Sequence, residues 1–108
     1  MPSYYTSEDL PRFGEVGKAA PEHWDLFNKW YGKVMEGGAL DAKTKKLIAF
    51  AVAHAIQCAY CIDAYAAAGA ADGCTPEQMT EAVHVAAAIR AGSSLVHNVQ
   101  AINTWQRD

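Results

Sequence analysis

The run from Leu47 to Tyr65, LIAFAVAHAIQCAYCIDAY, most constrains what this chain can fold into. Its first half is apolar on nearly every side of a helix, a pattern typical of a helix that is buried on most of its surface. Its second half holds Cys58 and Cys61, and cysteines three apart on a helix have Cα atoms roughly 5 to 6 Å from each other, within reach of a disulfide. The run therefore predicts a buried helical element whose thiol pair can cycle between dithiol and disulfide.

The backbone around the cysteines can take two forms. If one helix runs through without a break, a rotation of about 100° per residue places His54, Cys58, Cys61 and Tyr65 in one sector roughly 60° wide. If a turn separates Gln57 from Cys58, the cysteines lie at the start of a helix, where free N–H groups and the helix dipole lower a thiol pKa. Both forms favour a thiolate, so the redox interpretation does not depend on the choice.

The rest of the chain shows helical periodicity, and no stretch has the alternation of a strand. Asp41 is a predicted helix cap, Asp72-Gly73 a predicted stop, and Thr75-Pro76-Glu77-Gln78 a capping box. Gly92-Ser93-Ser94 predicts a further interruption. We therefore expect an all-α bundle in a single domain, with five main helices joined by short loops. One spans about residues 21–36, one starts after Asp41, alanine-rich helix covers 62–71, one runs from the capping box to about Arg90, and the last carries Leu95 to Trp105.

The first twenty residues differ in composition, since they contain Pro2, Pro11, Gly14 and Gly17. Only a short helical turn from Ser7 to Phe13, capped by Ser7, is expected there. Residues 1–20 are predicted to form an arm that packs across its own domain or reaches a neighbouring subunit, and residues 21–108 to form the helical domain.

Composition argues against several classes of partner. The 108 residues carry a net charge of -3, with 19% charged residues, which gives no basic field for nucleic acid or for a membrane surface. No apolar run reaches the roughly 18 to 20 residues of a membrane span, and the first ten residues lack the pattern of an export signal. We expect a cytoplasmic protein, and in that reducing compartment a close cysteine pair is typical of redox or metal chemistry.

From about Gly38 to His97 the chain resembles the carboxymuconolactone decarboxylase superfamily, in its alkylhydroperoxidase D-like branch. The residues that carry the resemblance are LIA at 47–49, AVAH at 51–54, CAYCI at 58–62 and EAVHVAAAIR at 81–90. Decarboxylases of the superfamily usually lack the cysteine pair, which favours the peroxidase-like members. Tyr4-Tyr5, Asp9-Leu10 and Phe13-Gly14 are similar to a peroxidase-like subgroup associated with arsenosugar biosynthesis.

The resemblance implies a helical protein that assembles into dimers, trimers or hexamers and acts as an antioxidant peroxidase without a cofactor or a metal. It implies that Cys61 attacks a hydroperoxide and becomes a sulfenic acid, and that Cys58 then resolves this acid to a disulfide. A thiol reductant protein must afterwards restore the dithiol.

Two positions depart from the proton relay of this branch, which has a glutamate twelve residues before the first cysteine and a histidine four after the second. Here these positions are Lys46 and Tyr65. A charged lysine accepts no proton, and a phenol with a pKa of about 10 is a poor base at neutral pH. Three substitutes are open: His54 as a direct base, Lys46 as a charge that lowers a thiol pKa, or Glu81 and His84 from the next helix or a second subunit.

Other interpretations of the same residues remain open at this point. The cysteine pair can be a coincidence of packing in a helix, or part of a metal site with His54, His84 or Cys74. The chain can also be a non-catalytic helical oligomer that binds a small molecule or a partner, or a decarboxylase-like enzyme. Cys74, between a glycine and a helix cap, is expected to be an ordinary loop thiol.

Overall fold

The computed structural model describes residues 5–107, which form one long 3-10 segment followed by four α-helices. The 3-10 segment spans Ser7–Ala19, and the helices are α1 (Pro21–Met35), α2 (Ala42–Ala55), α3 (Ala59–Ala71) and α4 (Pro76–Trp105). The described residues contain no strand, so the predicted all-α class is confirmed. None of the helices within residues 5–107 combines the length and the apolar character that crossing a bilayer requires.

The predicted helix boundaries at the caps are confirmed. The Asp41 carboxylate accepts a hydrogen bond from the N–H of Thr44 at 2.7 Å, and this bond holds the pKa of Asp41 below its usual range. Thr75 and Gln78 form both halves of the capping box that starts α4. Gly73, with φ of 82°, takes the left-handed conformation that ends α3, a conformation that costs glycine little.

The predicted break at Gly92–Ser94 is wrong, because α4 continues for 30 residues without interruption. The polar side chains in this stretch are satisfied inside the helix: the Ser94 hydroxyl donates to the carbonyl of Arg90 at 3.2 Å, and His97 Nδ1 lies 2.6 Å from the carbonyl of Ser93. One glycine costs a helix only about 1 kcal/mol, which such a long helix tolerates.

The N-terminal segment is also longer than expected, since the 3-10 segment runs to Ala19 and its cap is Thr6 instead of Ser7. Aromatic packing holds this segment on α1. The ring of Phe13 meets that of Trp24 edge-on with centroids 4.9 Å apart, and the small residue Gly17 leaves room for the Trp24 side chain. Helix propensity depends on neighbouring residues only, so it could not predict these contacts between the N-terminal segment and α1. Tyr4, part of the subgroup resemblance, lies outside the described residues.

Helix α2 is the centre of the fold, because α3 and α4 both pack against it. Helix α4 runs alongside α2 in the same direction: Cys74, just before α4, lies near Lys43 at the start of α2, while Arg90 donates to the carbonyl of Ala55 at its end. The buried side chains among the described residues are small ones, Ala53, Cys74 and Ala86. Small side chains allow the helix axes to approach closely.

A single left-handed residue, Gln57, joins α2 to α3. Its φ is 58°, its N–H donates to the carbonyl of His54 at 3.2 Å, and the N–H of Cys58 donates to the carbonyl of Ala53 at 2.9 Å. These two bonds form the Schellman motif that terminates a helix. Cys58 is then the N-cap of α3. Of the two forms open from the sequence, the structure adopts the turn before Cys58.

The chain leaves much apolar surface exposed. Its radius of gyration is 18.3 Å, against about 13 Å for a compact chain of this length. Its accessible surface of 8307 Å² exceeds by about 2,400 Å² the area of a folded monomer of the same mass. The second half of α4 extends past the end of α2, and its exposed apolar residues are Leu95, Val96, Val99, Ile102 and Trp105.

The turn at Gln57 generates a stability prediction. A left-handed conformation costs a residue with a Cβ atom about 1 kcal/mol or more, so Gln57→Gly is expected to raise the free energy of unfolding by about 0.5–1 kcal/mol. Gln57→Val is expected to lower it, since a β-branched residue fits this conformation poorly. Urea denaturation at a fixed protein concentration measures both.

Gln100→Gly is the matched control, because Gln100 lies inside α4. The same substitution there should lower the free energy of unfolding by about 1 kcal/mol. A loss of stability on Gln57→Gly comparable to that of the control would contradict the steric account of the turn.

Candidate functional site

The cysteine pair lies at the first turn of α3. The sulfur atoms of Cys58 and Cys61 form a disulfide, and the two Cα atoms are 5.2 Å apart, as the spacing predicted. Cys58 is the N-cap residue, and its Sγ accepts a hydrogen bond from the N–H of Cys61 at 3.2 Å. The pair therefore occupies the end of the helix where backbone donors are exposed and the dipole is positive.

A cavity of about 1030 Å³ opens beside the disulfide. The 3-10 segment, α1 and α3 each contribute to its wall. Besides Cys58 and Cys61, the lining includes the aromatic residues Phe13, Phe27, Tyr31, Tyr60 and Tyr65 and the aliphatic residues Leu10, Val16, Ala64 and Ala68. Such a wall of aromatic and aliphatic groups with few polar ones is typical of a small-molecule site.

A second, smaller cavity of about 280 Å³ lies between α1, α2 and α3. Cys61 and Tyr65 line both cavities, whereas Cys58 lines only the larger one. The sulfur of Cys61 therefore lies between two mainly apolar spaces, and the sulfur of Cys58 belongs to the larger cavity alone.

The charged residues of the larger cavity are one cation and two carboxylates, which form ion pairs with each other and leave a net charge of -1. Arg12 pairs with Glu15 at 2.7 Å and with Asp9 at 3.5 Å. Its guanidinium holds the pKa of Glu15 below its usual range, and Glu15 in turn raises the pKa of Arg12. The cation at this cavity is thus already paired with carboxylates, and the cavity favours a ligand with a neutral, apolar body.

Tyr65, which stands where the family relay has a histidine, forms a hydrogen bond between its hydroxyl and that of Tyr31. Burial raises the pKa of Tyr65, and the bond to Tyr31 raises it further. A phenol that is harder to ionise than usual stays protonated near neutral pH, so it can donate a hydrogen bond but does not act as a base. Tyr65 is therefore in the site as a neutral phenol.

Lys46, at the other position of the relay, is directed elsewhere. Its ammonium forms an ion pair with the carboxylate of Asp72, which follows the end of α3. Lys46 lines neither cavity. Its charge is compensated by this carboxylate, and it ties the start of α2 to the end of α3.

His54 and the two α4 candidates also lie outside the lining of both cavities. His54 Nδ1 is 2.8 Å from the carbonyl of Phe50, and its ring meets the Phe50 ring edge-on at 4.5 Å. His54 and the cysteines would share one face only in an unbroken helix. Because the turn at Gln57 separates α2 from α3, this alignment is lost. Glu81 and His84 are exposed on α4. Of the seven residues singled out from the sequence, the structure brings together Cys58, Cys61 and Tyr65.

The N-terminal segment contributes contacts that sequence analysis missed. The ring of Tyr5 packs edge-on against that of Tyr60, which lies between the two cysteines, with ring centroids 4.5 Å apart. The Tyr5 hydroxyl donates a hydrogen bond to the carboxylate of Asp63 at 3.3 Å. Asp63 therefore anchors this segment. Helix α1 contributes as well, since Phe27 and Tyr31 of its aromatic stripe line the cavity. Its three- and four-residue spacing was the only available signal.

Metal ligation was an alternative for the cysteines. Among residues 5–107, no group of three or more His, Cys, Asp and Glu side chains is arranged to hold a metal ion. Cys74 is buried near the start of α2, where its Sγ lies 4.0 Å from the carbonyl of Lys43.

The Tyr31–Tyr65 bond generates a prediction about alkaline pH. Because the folded state raises the pKa of Tyr65 above that of the unfolded chain, its contribution to stability is complete below pH 10 and declines as the pH rises above that value. The free energy of unfolding should therefore fall less steeply between pH 10 and 11 in Tyr65→Phe than in the wild type. Urea denaturation at several pH values measures the two slopes.

Trp30→Phe is the control, since Trp30 is an aromatic residue of α1 and the substitution removes no ionisable group. Its slope should match that of the wild type. Equal slopes for Tyr65→Phe and the wild type would show that Tyr65 ionises as an ordinary exposed phenol.

Comparison with known proteins places this fold and site in a family. A protein of Paracoccus denitrificans called "Uncharacterized protein 4 in cox locus" is 42% identical over 89 residues, which are 82% of this chain and 80% of that protein. An "Uncharacterized protein" of Haemophilus influenzae is 42% identical over 62 residues, 57% of this chain and 55% of its own length. Residues 21–103 match the sequence profile of the carboxymuconolactone decarboxylase family, and the chain therefore belongs to this family.

Proposed function

We propose that this protein is a thiol peroxidase of the alkylhydroperoxidase type, which reduces hydroperoxides through a dithiol–disulfide cycle of Cys58 and Cys61. The observation that carries the proposal is a cysteine pair, close enough to form a disulfide, that opens onto an apolar cavity large enough for an organic molecule. A structural disulfide has no need of such a cavity.

The reaction converts one hydroperoxide ROOH and the dithiol to ROH, water and the disulfide. A thiolate attacks the terminal oxygen, the O–O bond breaks, and the departing alkoxide takes a proton to become ROH. The resulting sulfenic acid is attacked by the second thiol, and the S–O bond breaks to release water. A reductant protein with its own thiols then transfers two electrons back by disulfide exchange.

The residues around the cavity favour a bulky, neutral hydroperoxide. Aromatic and aliphatic side chains form most of the wall, and Arg12 is ion-paired with two carboxylates, so the cavity offers no unpaired cation to an anionic substrate. Tyr65 stands beside Cys61 at a spacing of four residues, on the same side of α3, and as a neutral phenol it can donate the proton that the alkoxide takes. A cytoplasmic location would supply the thiol reductant.

Peroxide consumption tests the function directly. Reduced wild-type protein should consume cumene hydroperoxide with dithiothreitol as the reductant. Of Cys58→Ser and Cys61→Ser, the variant that lacks the attacking sulfur should lose turnover at least about 100-fold, whereas the variant that lacks only the resolving sulfur should lose less, because dithiothreitol reduces a sulfenic acid directly. Cys74→Ser removes a thiol outside the cavity and should retain activity. Equal consumption by the wild type and by the Cys58→Ser/Cys61→Ser double variant would disprove the proposal.

The second candidate is a non-catalytic helical oligomer that binds a small molecule or a partner. The pairing of Lys46 with Asp72 and of Tyr65 with Tyr31 favours it, because both relay positions are occupied in structural contacts. This alternative predicts no peroxide consumption by the wild type, together with an assembly that survives loss of both cysteines. Carboxymuconolactone decarboxylation is a weaker third candidate, supported by the family name alone.

We also propose that the chain is a homo-oligomer, and that a second copy covers the apolar half of α4. The excess accessible surface of about 2,400 Å² per chain is larger than the roughly 800 Å² that each partner buries in an ordinary stable interface. Leu95, Val99 and Ile102 recur at spacings of four and three, which places them on one face of the helix. Such a face is suited to packing against another helix of the same kind.

Val99→Asp tests the assembly. A charge in the middle of the apolar face should shift the protein toward smaller species by at least tenfold in dissociation constant, because an unpaired carboxylate is costly in an apolar contact. Sedimentation equilibrium over a range of concentrations measures this shift. His97→Asp adds the same carboxylate on the opposite face of α4 and should leave assembly unchanged. A monomeric wild type would contradict the proposal.

A further inference from the structure

We propose that Cys58, and not Cys61, holds the thiolate of the reduced pair and is the sulfur that attacks the hydroperoxide. This inference rests on the proposed function for its chemistry, but it is drawn from the geometry of the helix start. It reverses the order that the family resemblance implies.

The first argument is the backbone around Cys58. Cys58 is the N-cap of a 13-residue helix, and its Sγ accepts the N–H of Cys61 at 3.2 Å. A backbone N–H bond to a sulfur stabilises the thiolate more than the thiol, and the positive end of the helix dipole adds to this effect. Cys61 is the third residue of the helix, and it supplies the donor that Cys58 receives.

The second argument is that Cys58 cannot readily leave this position. The N–H of Cys58 is bonded to Ala53 and its carbonyl accepts the N–H of Ile62, both at 2.9 Å. The residue thus belongs to the end of α2 and the start of α3 at once. Reduction of the disulfide breaks neither backbone bond, so the Cys58 main chain stays where its sulfur can reach the N–H of residue 61.

The third argument concerns Cys61, whose surroundings are less favourable for a charge. Its side chain lines both the larger cavity and the smaller one, and the smaller is lined mainly by apolar groups such as Val34, Val52 and Ile56. Apolar surroundings raise a thiol pKa. A neutral thiol at Cys61 can donate its S–H to the Cys58 thiolate. This hydrogen bond further stabilises the negative charge on Cys58.

Other charged groups around the cysteine pair do not reverse the order of the two thiol pKa values, with Cys58 below Cys61. From the 3-10 segment, Asp9, Arg12 and Glu15 line the cavity as one ion-paired cluster with a net charge of -1, which is shared by the cavity that both sulfurs line. From α1 and α3, the facing titratable groups are the phenols Tyr31, Tyr60 and Tyr65. From α2, Lys46 is paired with Asp72, and His54 is directed at the carbonyl of Phe50. The backbone donors at Cys58 are therefore the main local difference between the two sulfurs.

The chemical step follows from this order. The Cys58 thiolate attacks the terminal peroxide oxygen, so that an S–O bond forms as the O–O bond breaks, and the alkoxide leaves as ROH after protonation. The sulfur of Cys58 is oxidised by two electrons. The Cys61 thiol loses its proton and attacks the Cys58 sulfenic acid, which gives the disulfide seen in the structure and a molecule of water.

Single-cysteine variants test the inference without relying on turnover. Cys61→Ser/Cys74→Ser keeps only Cys58 and retains the main-chain N–H of residue 61, whereas Cys58→Ser/Cys74→Ser keeps only Cys61. The pH dependence of the iodoacetamide reaction gives each thiol pKa. We expect the Cys58 value to lie at least about one unit below the free-thiol value of about 8.5, and the Cys61 value at or above it.

Peroxide treatment of the same two variants, followed by dimedone labelling and mass spectrometry, locates the sulfenic acid. Labelling of Cys58 more than about tenfold faster than that of Cys61 would support the assignment, since the rate follows the thiolate fraction. A lower pKa or faster labelling at Cys61 would overturn it. If the pKa order holds but neither sulfur is oxidised, the thiolate assignment stands, its proposed attack on peroxide is overturned, and the peroxidase function fails.

Discussion

The left-handed turn at Gln57 is the constraint on which the rest of the site depends. Two backbone bonds end α2 there, and the next residue, Cys58, already caps α3. The residue that terminates α2 and the residue that caps α3 are neighbours in the chain. The turn therefore fixes both the direction of α3 relative to α2 and the position of the two sulfurs. The same turn takes His54 out of phase with the cysteines, so it both creates the thiol site and removes its nearest candidate base.

Around this turn the site is formed from distant parts of the chain. The 3-10 segment and α1 bring Phe13, Phe27 and Tyr31 to the side of α3 that carries the cysteines. The charged groups nearby are ion-paired with one another, and Tyr65 is kept neutral by burial and by Tyr31. An apolar space with few free charges leaves the backbone N–H groups at the start of α3 as the main source of electrostatic stabilisation for a thiolate.

The exposed apolar surface and the extended shape have a common cause. Three small side chains are the ones buried in the described chain, while large residues of α1 and α4 remain accessible. A chain of this kind gains little from its own core, and association of copies would supply the missing burial. The proposed chemistry and the proposed assembly depend on different parts of the protein: the former on the start of α3, the latter on the outer half of α4.

Local signals in the sequence were sufficient to predict the helical class, the caps at Asp41 and Thr75 and the helix stop at Gly73. They also predicted that Cys58 and Cys61 lie close together. Each of these features depends on residues within one or two helical turns. Local signals failed at Gly92–Ser94 and in the N-terminal segment, where helix continuity and aromatic packing outweigh local preference. Tertiary structure alone decided that Tyr65 meets Tyr31, that Lys46 meets Asp72 and that α1 faces the cysteines. These contacts join residues 26 or more positions apart, and spacing along the chain carries no information about which distant side chains will meet.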